Sequence, residues 1–190
     1  MNIEEERIKA FDEFVNQFKE ENDRAAVILG ASKIDYLLYQ IINHFLIANC
    51  SKNDELLDGD SPLSTFSSRI NMVFRLGIID GQFSKALHLI RKIRNDFAHE
   101  LNSSKLDTIP HRDRIRELKA MFIESDLFNE IKQSYFIEKP NVISDFFTVI
   151  TLIVARLDRI FLVIKPLPSD STFSLLPKKQ NSNSPIKKIK

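Results

Sequence analysis

Residues 86–101, ALHLIRKIRNDFAHEL, decide the fold class because their apolar side chains recur at intervals of three and four. At about 100° per residue, six apolar positions fall within an arc of about 120° on one side of a helix. These positions are Ala86, Leu89, Ile90, Ile93, Phe97 and Leu101. The stretch therefore predicts a helix that is buried along one side, is capped by Asp80 and ends at about His99.

The same spacing covers most of the chain, which has only four glycines and no stretch of strand-like alternation. Five further helices are predicted, and they span Ile3 to Glu20, Asp23 to Asn49, Ser61 to Leu76, His111 to Phe122, and a last segment from Pro140 to before Pro166. Pro62 suits a first helical turn, and Gly77 suits the left-handed residue that ends a helix. The sequence thus predicts an all-α, multi-helix bundle.

The length of 190 residues and a hydrophobic content of 43% suit one sizeable core. We expect a single helical domain over residues 1–166 and a flexible tail over residues 167–190. Pro, Ser, Asn and Lys dominate that tail, so it has too little apolar surface to offset the entropy of ordering. Its lysines, with no acid after Asp170, form a basic arm. Such arms bind nucleic acid through counterion release, although a solubilising role is the simpler interpretation.

Composition also limits the compartment and the partners. The formal net charge of +1 gives no overall field that favours nucleic acid. Cys50 is the only cysteine, which excludes an internal disulfide and a multi-cysteine metal site. The acidic stretch Met1–Glu6 lacks the features of a signal peptide, so we expect a cytoplasmic protein. The segment most like a membrane span, residues 142–165, is interrupted by four charges, and we expect a core helix and no membrane association.

Polar side chains occupy the other side of the 80–99 helix. They are His88, Arg91, Asn95 and His99, with Lys92 beside them. Such a stripe is most often only a solvated face. The residue types nevertheless favour a functional interpretation. Histidine exchanges protons near neutral pH, and arginine can donate two hydrogen bonds to one phosphate. Arg94 lies about 140° from His99, so it joins the stripe only if the helix frays or ends near His99.

Leu89 to His99 resembles a signature of the MltR family (also written MtlR), the mannitol operon repressor-like proteins. Residues Asp23 to Leu38 are similar to the second helix of that family, and Leu56 to Ser64 and Arg69 to Ile79 resemble its middle. The resemblance implies a compact helical bundle and a regulatory protein, namely a transcriptional repressor or co-regulator. Because the family lacks an evident DNA-reading element, we expect action through a protein partner and not through direct base readout. The family and the wide apolar faces also suggest a homodimer.

Arg94 to His99 also resembles the core motif of HEPN domains, helical bundles found in ribonuclease toxins, antiviral systems and nucleotide-binding partners. The motif has an arginine, then a polar residue, and a histidine five positions after the arginine. The resemblance implies that His99 is a general base for a ribose 2′-hydroxyl, that Arg94 stabilises the phosphorane charge and that Asn95 positions both. RNA would be the substrate. In the alternative, structural interpretation, Arg94 and Asn95 pair with groups of neighbouring helices, and His99 stabilises the C-terminus of the helix, where a cation is favoured.

Three other segments have simple interpretations. Asp58-Gly59-Asp60 lacks the further ligands of a calcium loop and is predicted to be a turn, with one aspartate capping a helix or pairing with an arginine such as Arg69. Arg75–Asp80 suggests a helix-turn-helix, but a plain connection is favoured because the next helix is strongly apolar on its inner side. The basic cluster His111, Arg112, Arg114 and Arg116 is predicted to be a solvated face.

The sequence has no glycine-rich phosphate loop, dinucleotide fingerprint, paired zinc ligands or nucleophile elbow. We therefore expect neither a metal nor an organic cofactor. Enzymatic activity is expected only if the HEPN-like motif is functional, and it would then be that of a metal-independent endoribonuclease.

Overall fold

The structure of the protein is a computed structural model that describes residues 2–99 and 105–168. Within those ranges it contains seven α-helices and no strand. The helices are α1 (Ile3–Phe18), α2 (Asp23–Phe45), α3 (Phe66–Arg75), α4 (Gly81–His99), α5 (His111–Ala120), α6 (Asp126–Tyr135) and α7 (Asn141–Val163). The predicted all-α bundle is confirmed.

Helices α2 and α7 form the centre of the bundle. They pack against each other, and every other helix contacts at least one of them. In α7, residues 144–154 are all buried, as expected for a helix that is apolar around most of its circumference. Gly30 in α2 allows the two helices to approach closely, because a Cβ atom at this position would lie 2.8 Å from Cγ2 of Ile150.

Only α2, among the described helices, is long and apolar enough to cross a membrane by length and composition. The prediction that residues 142–165 are the most membrane-like segment is therefore wrong. The reason is the position of the charges, because residues 25–42 of α2 contain only Lys33 and Asp35, whereas every 18-residue stretch of α7 contains at least three charged residues. Half of the apolar window of α2 is buried inside the bundle, and α2 contacts α1, α3, α4 and α7. We interpret α2 as a core helix.

The residues at both ends of the connection between α3 and α4 have the roles that the sequence predicts. Gly77 adopts a left-handed φ of 71°, as predicted for the residue that ends α3. Asp80 caps α4, because its Oδ1 accepts a hydrogen bond from the Phe83 backbone N–H at 2.7 Å. The start of α3 was predicted wrongly at Ser61. Thr65 is the true cap, and it exchanges hydrogen bonds with Ser68.

Helices α1 and α5 each end two residues before their predicted ends, at Phe18 and Ala120. Helix α2 ends at Phe45 instead of Asn49, and α6 was not predicted at all. Phe128 and Ile131 are the buried residues of α6, which packs against α7. Leu101 and most of the predicted tail lie outside the described residues. At the last described residues, the Leu167 backbone N–H donates to the Phe45 carbonyl at 2.8 Å.

Candidate functional site on helices α2, α3 and α4

Helix α4 presents its predicted polar stripe away from the core. It packs against α2, α3 and α5. Its predicted apolar side is buried, as shown by Ala86, Leu89, Ile90, Ile93 and Phe97. On the polar side, three residues are half-buried and two are exposed. His88, Arg91 and Asn95 are the half-buried ones, and Arg94 and His99 are the exposed ones.

Arg94 and Asn95 lie together, although the helical angles placed Arg94 away from the stripe. Nη1 of Arg94 donates to Oδ1 of Asn95 at 3.2 Å. The Arg94 charge is also close enough to Asp35 on α2 to lower the pKa of that carboxyl. Arg94 and Asn95 are therefore in direct contact, and Arg94 acts on Asp35 only through its charge.

Asp35 and Arg69 complete what we call the Arg94 cluster, which consists of Asp35, Arg69, Arg94 and Asn95. Nη1 of Arg69 lies 2.9 Å from Oδ1 of Asp35, and its Nε donates to the Leu63 carbonyl at 2.9 Å. Burial raises the pKa of Asp35 above its ordinary value, and the two arginines only partly offset that rise. The half-buried Asp35 carboxylate thus forms an ion pair with Arg69, and the positive charge of Arg94 lies within electrostatic range of it.

The expected pairing of Arg69 with Asp58 or Asp60 is wrong. Arg69 lies on α3 and turns toward α2, where Asp35 is its ion-pair partner. Oδ2 of Asp58 instead accepts from the Asp54 backbone N–H at 3.2 Å within its own loop. One sequence signal pointed to Asp35, because it is the only acid in α2 after the first turn.

His88 lies at the other end of the stripe, against α3. Its Nε2 is 3.1 Å from Oδ1 of Asn71, so the neutral ring donates its proton there. Burial, followed by the charges of Arg91 and Lys92, lowers the pKa of His88 below its ordinary value of 6.5. His88 is consequently a neutral imidazole at pH 7.

Arg91 and Lys92 add positive charge that no described acid neutralises through an ion pair. Nε of Arg91 is buried and has no hydrogen-bond partner among the described residues. With Arg94 exposed beside them, this side of α4 carries a surplus of cations. Such a surface suits an anionic group, either a phosphate or the carboxylates of a partner protein.

His99 is the last residue of α4 and its side chain is exposed. Within the described ranges it makes no hydrogen bond or ion pair, and Asn95 bonds to Arg94 and not to His99. The structure therefore brings Arg94 and Asn95 together and does not link either of them to His99 by a direct contact.

A second polar group, centred on Asp96, joins α4 to α5 and was not predicted. Oδ2 of Asp96 pairs with Arg114 and lies 3.4 Å from Nε2 of His111. His111 is only 2% exposed, its Nδ1 donates to the Lys105 carbonyl at 3.1 Å, and its ring packs against Phe97. The prediction of a solvated basic face is wrong for His111 and Arg114. The available signal was that Asp96 is the only acid in α4.

The described residues contain no group of three potential metal-ligating side chains from His, Cys, Asp and Glu. The polar residues on this face instead form pairs and a cationic surface. The site therefore offers charge complementarity and hydrogen bonding to whatever binds there.

The fold of the described residues is an all-α bundle. It is similar to a chain in the X-ray structure of the MtlR-HPr complex from Escherichia coli, with a TM-score of 0.55 and 20% sequence identity. The likeness covers 76% of this chain and 98% of that chain. No protein-family model matches the sequence, and no curated protein matches it.

Proposed function

We propose that the protein is an MltR-like regulatory protein of the cytoplasm, a transcriptional repressor or co-regulator, that acts through protein–protein contacts. One observation carries the proposal, namely that its fold is similar to that of a chain from a complex between MtlR and HPr. The cationic side of α4 supports it further, because this side offers exposed and half-buried polar residues to a partner.

Direct reading of DNA bases is disfavoured by the residues in the first turn of α4. The helix that would serve as the recognition helix contacts α2, α3 and α5, and most of its apolar side chains are buried. A recognition helix contacts base edges with residues near its N-terminus, and among residues 81–84 of α4 only Gln82 is an exposed polar side chain. Any DNA-bound complex would therefore draw its specificity from a partner.

Binding to HPr, measured by isothermal titration calorimetry, tests the proposal. We expect saturable binding that weakens in the variant Arg94→Glu, because the substitution reverses the charge at the exposed end of the stripe. Arg116→Glu is the matched control, since Arg116 is also an exposed arginine but lies on α5. Absence of HPr binding, together with tight sequence-specific binding of operator-like DNA by the isolated protein, would contradict the proposal.

A homodimer is part of the proposal. It rests on the family resemblance and on large apolar side chains that remain exposed, such as Ile8, Tyr36 and Phe74. Light scattering coupled to size exclusion measures the mass directly. A mass of twice 22.0 kDa supports the dimer, and a mass of 22.0 kDa at all concentrations rejects it.

A second candidate function is a HEPN-like, metal-independent ribonuclease that uses Arg94, Asn95 and His99. The observation in its favour is that Arg94 and Asn95 share a hydrogen bond on an exposed, cationic surface. His99 would take the 2′-hydroxyl proton and Arg94 would stabilise the phosphorane. Because this chemistry needs no metal, cleavage is expected to continue in EDTA.

RNA cleavage that leaves 2′,3′-cyclic phosphate ends is the expected activity. His99→Ala and Arg94→Ala should abolish it while circular dichroism shows an intact fold. His44→Ala and Arg116→Ala are the matched controls, since neither residue belongs to the stripe. If the wild type leaves varied RNAs uncut, the ribonuclease proposal fails while the regulatory one stands.

A further inference from the structure

The second half of α7 carries two exposed arginines, Arg156 and Arg159, that form no ion pair among the described residues. Asp158, between them in sequence, pairs with Arg7 of α1 at 3.0 Å. The two arginines lie three residues apart, so their side chains project from neighbouring positions on the helix.

Both arginines line a cavity of about 400 Å³ at one side of the bundle. The connection between α3 and α4, the end of α5 and the second half of α7 surround it. Its apolar wall is contributed by Ile78, Ile79, Phe83, Met121, Phe122 and Ile160. An apolar wall with a few convergent polar groups is the usual make-up of a small-molecule site, and the volume falls within the usual range.

We propose that this cavity binds a small organic carboxylate whose apolar body lies against the Phe83 and Phe122 side chains and whose carboxylate pairs with Arg156 and Arg159. The planar guanidinium group presents parallel N–H donors that match a carboxylate. The apolar wall supplies the favourable burial of the rest of the ligand. The proposal does not depend on the regulatory function.

The charges that line the cavity favour a monoanion. Asp80 is the only acid in the lining, and the two arginines are the only bases. Asp80 is already engaged as the cap of α4, where its Oδ1 accepts from the Phe83 N–H at 2.7 Å. The lining is left with one surplus positive charge, which one carboxylate balances and a doubly charged phosphate exceeds.

The binding test uses the full chain and a matched set of small probes, followed by NMR of backbone amides. The probes are 3-phenylpropanoate, the neutral 3-phenylpropanol and inorganic phosphate. We expect 3-phenylpropanoate to shift the amides of residues 78–83 and 121–122 and to bind about tenfold more tightly than either other probe. Equal binding of the alcohol would reduce the site to an apolar cleft and overturn the proposal. Equal binding of phosphate would reduce it to a cationic surface and overturn it as well.

Variants then assign the effect to the two arginines. Arg156→Gln combined with Arg159→Gln should remove the preference for the acid over the alcohol. Arg116→Gln, an exposed arginine of α5 that does not line the cavity, should keep that preference. If the double variant binds the acid as tightly as the wild type, the arginines only interact with the carboxyl end of α7 and the proposal is wrong. The comparison of acid with alcohol in the wild type stands even if the double variant unfolds.

Discussion

Asp145 is the acid on which three helices converge. It lies on α7 and is 6% exposed, and its two oxygens contact Nζ of Lys119 at 2.9 Å and Nζ of Lys132 at 2.6 Å. These lysines come from α5 and α6, so one carboxylate attaches both short helices to the core helix. Because a buried charge is costly unless it is paired, the Asp145 carboxylate depends on these lysines for its stability.

Asp145→Asn should lower the free energy of unfolding by about 2 kcal/mol, measured by urea denaturation. The substitution leaves two lysines facing each other without a counter-charge. The loss stays below that of a fully buried pair because the side chains of Lys119 and Lys132 are 30% and 26% exposed and reach water. Asp113→Asn is the control, since Asp113 pairs with Arg116 at the surface and should change stability by less than about 0.5 kcal/mol. Equal effects from the two variants would show that Asp145 does not hold α5 and α6.

The pKa of His88 can also be tested at the level of a single residue. Burial is the largest cause of its lowered pKa, and the charge of Arg91 is the next. Arg91→Gln should therefore raise the midpoint of the His88 titration, seen by NMR of the imidazole ring, without restoring it to 6.5. A midpoint that does not move would place the guanidinium group of Arg91 away from the ring.

The direction of the lowered pKa also fixes how His88 affects stability. Between its folded pKa and about 6.5, the unfolded chain holds more protons at this residue than the folded chain does. The contribution of His88 to stability therefore increases as the pH rises through that window and is lost as the pH falls through it. Arg91→Gln should narrow the pH range between the folded and the unfolded pKa of His88. Urea denaturation at several pH values measures the free energy of unfolding across that range.

The residues of the candidate site were only partly predictable. The sequence placed His88, Arg91 and Asn95 on one side of a helix, and the structure keeps all three half-buried on that side. It did not predict the Arg94–Asn95 contact, because a long side chain can cross the angle that separates two positions. It also missed Asp35, since the pairing of α2 with α3 depends on how the helices pack.

At the scale of the helices, the three long apolar helices were predicted and one short helix was not. Helices α2, α4 and α7 each bury a long apolar stretch, and the sequence predicted all three. Helix α6 has only 10 residues with two fully buried side chains, so it depends on tertiary contacts that the sequence does not display. The start of α3 was missed because Ser68, and not the usual Glu or Gln, completes its capping box with Thr65.

Gly30→Ala should destabilise the protein by about 1–2 kcal/mol, measured by thermal or urea denaturation. The added Cβ would meet the Ile150 Cγ2 atom at 2.8 Å and Phe18 at 3.3 Å, and these buried side chains have little room to move. The better helix propensity of alanine offsets only part of this cost, roughly 1 kcal/mol. Ser32→Ala, at an exposed position of the same helix, should be neutral or slightly stabilising.

A double variant separates the steric cost from a general defect in α2. Ile150→Ala alone opens a cavity, but the new alanine at position 30 would occupy part of it. The two substitutions together should therefore cost less than the sum of their separate effects. Additive costs would mean that Gly30 does not set the distance between α2 and α7.

At the scale of the whole molecule, charge is distributed unevenly along the chain. The last 22 residues carry five lysines and one aspartate, so the formal charge of +1 for the whole chain leaves −3 on residues 1–168. The near-neutral total therefore combines an acidic bundle sequence with a basic C-terminal stretch. A net negative charge on the bundle repels nucleic acid at long range, although α4 carries a local surplus of cations.

Removing residues 169–190 should leave the melting temperature unchanged, because the hydrogen bond from Leu167 to the Phe45 carbonyl is retained. The same truncation should abolish retention on a DNA column at low salt. The reason is that it removes the lysines whose binding to phosphates releases counterions from the DNA. A full-length variant in which glutamine replaces the tail lysines should elute at a lower salt concentration than the full chain. This comparison separates the effect of charge from the effect of length. Retention that survives truncation would assign nucleic-acid binding to the cationic side of α4, and it would then favour the ribonuclease over the partner-dependent regulator.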